Sequence, residues 1–151
     1  MEILIGEKNE KLRGKSLPVK KITQDIWLLA ESMSSLMKEK NGAGLSAPQI
    51  GMPLRLIVFL FKNKPMALIN PEISQSSKEI ESVEEGCLSL PGTWAMIDRP
   101  SKITIKAKTL TGKKIKKNLS GISARIVQHE IDHLDGILFI DRISKKDKKI
   151  K

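Results

Sequence analysis

The sequence predicts an α+β protein in which mainly antiparallel strands pack around a C-terminal helix bearing a His-Glu-x-x-His pattern. Three observations predict it. Apolar residues recur in steps of three and four between Ile22 and Met37; short runs between Leu54 and Leu119 are rich in β-branched residues or alternate polar with apolar; and a second helical pattern fits Ser120 to Leu134. That order, a helix, several strands and a second helix, is α+β in class. A chain of 151 residues with 40% hydrophobic content supplies one ordinary core, so residues 1–151 are expected to form a single domain.

The first helix spans residues 22 to 40, with Ile22, Ile26, Leu29, Met33, Leu36 and Met37 on its apolar stripe. Thr23 is placed to cap it, Ile22 and Trp27 to staple its start, and Asn41-Gly42 to end it. The stretch NGAGLSAPQIGMPLR that follows holds three glycines and two prolines, which predicts a turn-rich loop and candidate site material. Leu54 to Phe61 reads as a strand buried on both faces. Met66 to Asn70 and Glu79 to Val83 read as shorter strands, broken by Pro71 and by the polar stretch Ser74 to Lys78. Lys102 to Lys108 alternates polar with apolar and predicts a half-exposed strand; TLTGKK then predicts a tight turn into Lys114 to Leu119. The last helix covers Ser120 to Leu134, with Gly136 placed to stop it. The tail from Arg142, with six basic residues and one acid, is expected to fray.

The dense apolar run Leu54 to Phe61 is interrupted by Arg55 and is far shorter than the roughly 20 residues a membrane-spanning helix needs. The N-terminus lacks an apolar stretch followed by a small-residue cleavage site. A cytoplasmic protein that does not enter membranes is expected. Cys87 is the single cysteine, so it is left for packing, metal ligation or nucleophilic chemistry. A net charge of +10 favours encounters with phosphate-rich surfaces such as RNA. With five aromatics and no tyrosine, the stacking platforms of a dedicated single-strand binder are missing. Biased genome composition is a second source of a lysine-rich, isoleucine-rich chain.

The chain's two histidines both fall in VQHEIDHLDG, Val127 to Gly136. At about 100° per residue, His129 and His133 lie one turn apart on one helix face, so two imidazoles can reach one ion. Ile122, Ile126 and Ile137 continue the same stripe, which places the histidines inside. Core histidines satisfied by hydrogen bonds are the plain alternative; a metal satisfies both at once. Glu130 is near enough to act on water at such a metal without being a ligand, the division of labour in H-E-x-x-H hydrolases. A catalytic site of this kind takes a third protein ligand. No glutamate follows Glu130 and Phe139 occupies the position of a downstream histidine ligand, leaving Asp135, Asp141 and Asp147. Upstream, EEGCLSLPG (Glu84 to Gly92) offers Cys87 in what reads as a loop, and is the better candidate.

Three separated segments, GAGLSAPQIG (Gly42 to Gly51), EGCLSLPG (Glu85 to Gly92) and QHEIDHLDG (Gln128 to Gly136), together resemble the peptide deformylases, in that family's order and with similar separations. The resemblance implies that Cys87, His129 and His133 bind one divalent metal ion, Fe²⁺ as the working ion with Zn²⁺, Ni²⁺ or Co²⁺ as alternatives in isolated protein. It implies Glu130 as general acid/base, and the Gln49 side-chain amide with the Leu88 backbone N–H as donors to the oxyanion. The substrate would be a nascent polypeptide starting with N-formylmethionine, lying extended beside Gly42, Ala43 and Gly44 and the Gly86 region, with formate released. By position, Val83, Ile122 and Ile126 would line the methionine pocket, each having plain core packing as its alternative. Glu85 and Arg99 would form a structural or substrate-orienting ion pair.

Two departures stand out. Ser46 occupies a position where the family usually has alanine, a small polar change expected to be tolerated though able to disturb packing behind Gln49. Arg125 could point to solvent or narrow the methionine site. A short basic C-terminus allows transient ribosome contact through charge alone. The rival readings are a metallopeptidase, which leaves Cys87 and Gln49 unexplained, and a non-catalytic metal-holding or RNA-binding module, which has no use for Glu130.

Overall fold

The computed structural model describes residues 1–144. In chain order it contains α1 (Glu10–Arg13), α2 (Gln24–Glu39), β1 (Gly44–Ser46), β2 (Leu56–Phe61), β3 (Lys64–Ser76), β4 (Ile80–Cys87), β5 (Leu90–Pro100), β6 (Lys102–Lys108), β7 (Lys114–Ser120) and α3 (Gly121–Leu134), with short 3-10 turns at Ala47–Ile50 and Phe139–Arg142. The strands form a five-stranded sheet in the order β1-β2-β3-β6-β7 and a separate β4-β5 ribbon. Every pairing is antiparallel. The class is α+β, as the element order predicts. No helix of the described residues is long and apolar enough to cross a membrane.

Strand alternation sends the two faces of the large sheet to different helices. Leu56, Val58 and Ile69 join Ile26, Met33 and Met37 of α2 in one core cluster. Ile57, Phe59, Leu68, Ile103 and Ile105 point the other way, onto Ala124, Val127, Ile131 and Leu134 of α3. A third cluster, Leu12, Leu90, Ile97, Leu138 and Phe139, ties the ribbon to the end of the chain. The helix that carries the histidines is thus wedged between the large sheet and the β4-β5 ribbon. Leu54 to Phe61 is a doubly buried strand in fact: its first four assigned residues, Leu56 to Phe59, are all buried.

Several local expectations are corrected. Thr23 sits at the N-cap of α2 but its side chain makes no capping hydrogen bond. Asn41, with φ 56°, takes the left-handed position that ends α2, and the Gly42 amide donates to Met37 O at 2.9 Å. β3 does not stop at Pro71. The register with β6 shifts between Ile69 and Glu72 and again between Ile73 and Gln75, and a bulge is where a strand accommodates a residue without an N–H. β4 extends beyond Val83 to Cys87, so Cys87 ends a strand rather than lying in a loop, and β5 was not expected from the sequence at all. At the other end, Arg142 is not frayed: its guanidinium grips Asp132 at 2.7 and 2.9 Å. The remaining basic tail, 145–151, lies outside the described residues.

Candidate active site

The helical repeat of α3 and the tight β4-β5 turn converge on one point. Donor atoms of Cys87, His129 and His133 all lie within 4.8 Å of one another, with Cys87 Sγ 3.4 Å from His133 Nε2. The two rings meet edge-on, centroids 5.1 Å apart. Of the downstream alternatives, Asp135 and Asp141 are engaged elsewhere, with Arg55 and Arg13 respectively, and Asp147 lies outside the described residues. A thiolate and two imidazoles at this separation fit a divalent transition metal. His133 Nδ1 is buried without a hydrogen-bond partner among the described residues, so this ring is held by packing and by what it meets through Nε2.

His129 is oriented from behind. Its Nδ1 lies 2.9 Å from Glu85 Oε1, so Nδ1 carries a proton toward that carboxylate while Nε2 turns toward Cys87; the ring stacks on Phe139. Burial lowers the His129 pKa, but hydrogen bonds to Cys87 and Glu85 outweigh it and raise it to about 10; a metal must therefore displace a proton there. Glu85 itself accepts from Arg99 at 2.6 and 3.0 Å and from Arg125 at 2.5 Å. Burial pushes its carboxyl up, yet the His129 and Arg99 hydrogen bonds bring it down to about 2. Arg99 continues to Asp132 at 2.9 Å. The expected Glu85–Arg99 pair is real, and both Glu85 oxygens make hydrogen bonds within the protein.

Glu130 is 4% exposed, not a surface glutamate. Its Oε1 has no partner among the described residues, and burial pushes its carboxyl up to about 7 against the pull of His129 and Arg99. Such a group exchanges a proton near neutral pH. Its neighbour is β1: a Cβ at Gly44 would stand 2.6 Å from Glu130 Oε2, so only glycine lets that backbone come so close.

Gln49, in the 3-10 turn after β1, is held at both ends of its amide. Its Oε1 accepts from the Ser46 backbone N–H at 2.9 Å and from Ser46 Oγ at 3.0 Å. Its Nε2 donates to Ser89 Oγ at 3.2 Å and reaches Cys87 Sγ at 3.7 Å. Ser46 therefore does not disturb the packing behind Gln49; its hydroxyl fixes the amide.

These residues open on a cleft of about 470 Å³ bordered by Gly42, Ala43, Gly44, Gln49, Val83, Glu85, Gly86, Cys87, Leu88, Ile122, Ile126, His129 and Glu130. The core alternative for Ile122 and Val83 is overturned. They are 75% and 42% exposed, because the core-facing stripe of α3 runs instead through Ala124, Val127, Ile131 and Leu134. Arg125, expected either to point to solvent or to narrow the methionine site, does not point to solvent: it borders the cleft, and besides Glu85 it donates to Ile97 O at 3.0 Å and Glu81 O at 2.7 Å, clamping α3 to the ribbon. Leu90, Pro91, Thr93 and Trp94, which no sequence pattern assigned to the site, also form the cleft wall. Trp94 lies flat against Gly86, where any Cβ would overlap its ring. The adjacency of these residues to the cysteine motif was the available signal, hidden by Pro91-Gly92, which reads as loop.

The "Polypeptide deformylase" family model matches residues 1–149. A peptide deformylase of Desulforudis audaxviator is 46% identical over 132 residues, covering 87% of this chain and 86% of that one. One from Dictyoglomus thermophilum is 47% identical over 131 residues, covering 87% and 85%. The crystal structure of peptide deformylase from Thermotoga maritima superposes with a TM-score of 0.92 at 40% identity, covering 95% of this chain and 97% of that one. Sequence likeness along nearly the whole chain, together with a shared fold, leads to one conclusion: the chain belongs to the peptide deformylase family.

Proposed function

We propose that residues 1–151 form one catalytic domain that hydrolyses the formyl amide of N-formylmethionine at the start of nascent polypeptides, releasing formate and a free N-terminal methionine. The observation that carries this reading is the convergence of the Cys87, His129 and His133 donor atoms within 4.8 Å beside the unpaired, buried carboxylate oxygen of Glu130. Cys87, His129 and His133 would hold one divalent ion, which would supply Lewis acidity and lower the pKa of water there toward neutral. Fe²⁺ is the proposed physiological ion, on family resemblance; the donor set also accepts Zn²⁺, Ni²⁺ or Co²⁺.

Glu130 takes the proton of the attacking water as the new C–O bond forms, and delivers it to the amide nitrogen as the C–N bond breaks. Negative charge on the formyl oxygen is met by the Gln49 amide and the Leu88 backbone N–H. The contact from Gln49 to Cys87 is long, so that N–H is available to turn to the oxyanion. β1 is the terminal strand of the large sheet, and an extended peptide can pair with its free edge along Gly42 to Gly44. The methionine side chain would enter between Val83, Ile122 and Ile126, whose apolar surface is left open to the cleft. A cytoplasmic, bacterial-type translation compartment is where such substrates arise, and ribosome contact through basic surface is part of this reading.

Formate release from a formyl-Met-Ala-Ser peptide, by protein prepared without oxygen and loaded with Fe²⁺, Ni²⁺ or Zn²⁺, tests it. We expect release with metal and a loss of at least about a hundredfold in Glu130→Ala. Cys87→Ala should lose stoichiometric metal while remaining folded by circular dichroism. A folded, metal-loaded protein that releases no formate would falsify the assignment.

A further inference from the structure

From Lys102 to Leu119 the chain has seven lysines and no acid. The β6-β7 register puts five of them on one face: Lys106 pairs with Lys116, Lys108 with Lys114, and Lys102 stands at the end of the same row. This is the face that α2 covers further along the sheet, since Lys108 pairs with Ile69 of the α2 cluster. Yet α2 packs over β1 and β2, and on this face of β6-β7 only Thr104 is buried. Lys102, Lys106, Lys114 and Lys116 are exposed and Lys108 is half-buried. None of the five forms an ion pair among the described residues, although Glu72 stands opposite Lys106 in register. Like charges directly opposite on paired strands repel, so this face holds a repulsion that an anion would relieve. Lys106, Lys108, Lys114 and Lys116, with Asn70 and the single acid Glu72, also border a shallow groove.

We propose that this lysine face is a docking surface for the phosphate backbone of structured RNA, recognised by charge and not by sequence. The choice of RNA rests on the proposed function, which places the enzyme beside ribosomal RNA. Its chemistry fits that partner: no aromatic residue lies in the hairpin for base stacking, and no exposed large hydrophobic side chain lies there for insertion into a bilayer. The hairpin's opposite face packs on α3, and none of its residues borders the cleft. Docking thus leaves the substrate path open.

The test is binding of the full chain to a 5′-labelled ribosomal RNA hairpin by fluorescence anisotropy from about 50 to 200 mM salt. Wild type is compared with Lys106→Gln/Lys108→Gln/Lys114→Gln/Lys116→Gln and with an equal-charge control, Lys8→Gln/Lys15→Gln/Lys20→Gln/Lys21→Gln. The hairpin variant should lose at least about tenfold in affinity, and its log–log salt slope should become shallower by about three, whereas the control should change less than about threefold. Formate release from a free formyl-peptide should be unchanged in both. Equal losses in the two variants would reduce the effect to net charge and overturn the proposal. So would loss of binding to anionic phosphatidylglycerol vesicles with RNA binding retained. Absence of formate release from wild type would sink the proposed function instead, and leaves the RNA comparison readable.

Discussion

Ser46 and Gln49 show how much rests on single hydrogen bonds at the residue scale. The Ser46 hydroxyl and amide both donate to Gln49 Oε1, which forces Nε2 toward Cys87 and Ser89. Ser46→Ala removes one neutral buried hydrogen bond, worth about 1 kcal/mol, while the backbone N–H keeps the amide from flipping. The expected result in steady-state kinetics is a loss of about two- to tenfold, in kcat more than in KM; unchanged kcat would mean that the hydroxyl is a bystander. The metal-site candidates were readable in the sequence because His129, Glu130 and His133 are related by a helical repeat, a local property. The function of Arg125 was not. Its partners, Glu85, Ile97 O and Glu81 O, are 28 to 44 positions away, and no local pattern specifies which of two faces a long side chain will reach.

Elements were legible where period or punctuation was clean. The alternation of Lys102 to Lys108 and the TLTGKK turn gave β6 and its pairing with β7, and the Thr109 amide closes that turn on Lys113 O at 2.9 Å. β3 and β5 were obscured by Pro71 and by Pro91-Gly92, residues that break regular strands but are admitted at bulges and at strand beginnings. The short turn at Phe139–Arg142 shows tertiary context ordering a segment that reads as charged tail. Asp141 there accepts from Arg13 at 2.5 and 3.2 Å and from the Leu138 amide at 2.9 Å. Burial raises its carboxyl, but the Arg13 hydrogen bond, the Leu138 amide and the charges of Arg13 and Arg142 together outweigh that and hold it below the ordinary value of 3.8. The unfolded chain therefore binds this proton more tightly. The stabilisation is whole above that ordinary value and is lost as pH falls through the lower folded one. Asp141→Asn should flatten the acid end of a thermal-stability profile relative to wild type and lower stability at pH 7; parallel profiles would remove Arg13–Asp141 from the acid response.

At the scale of the whole molecule, one sheet separates two cores and supports the site from behind. Ile105 is fully buried in the α3-facing core, and Ile105→Ala should cost about 2 to 5 kcal/mol, read as a lower urea midpoint at unchanged slope. An unchanged midpoint would show that this core does not bear the fold. Metal affinity should fall with it, since α3 takes its position from that packing. By itself the sequence determined the α+β class, the two helices, the alternating strands and the three segments of the site, because each depends on periodicity or on motifs a few residues long. Only the tertiary structure decided that Glu85 orients His129, that Arg125 and Arg99 hold Glu85, that Ile122 faces a cleft, and that the β6-β7 lysines share an open face. Those outcomes depend on which distant surfaces meet, and burial then sets the charges: desolvation raises Glu130 to about 7 and opposing hydrogen bonds bring Glu85 to about 2, although both are the same residue type.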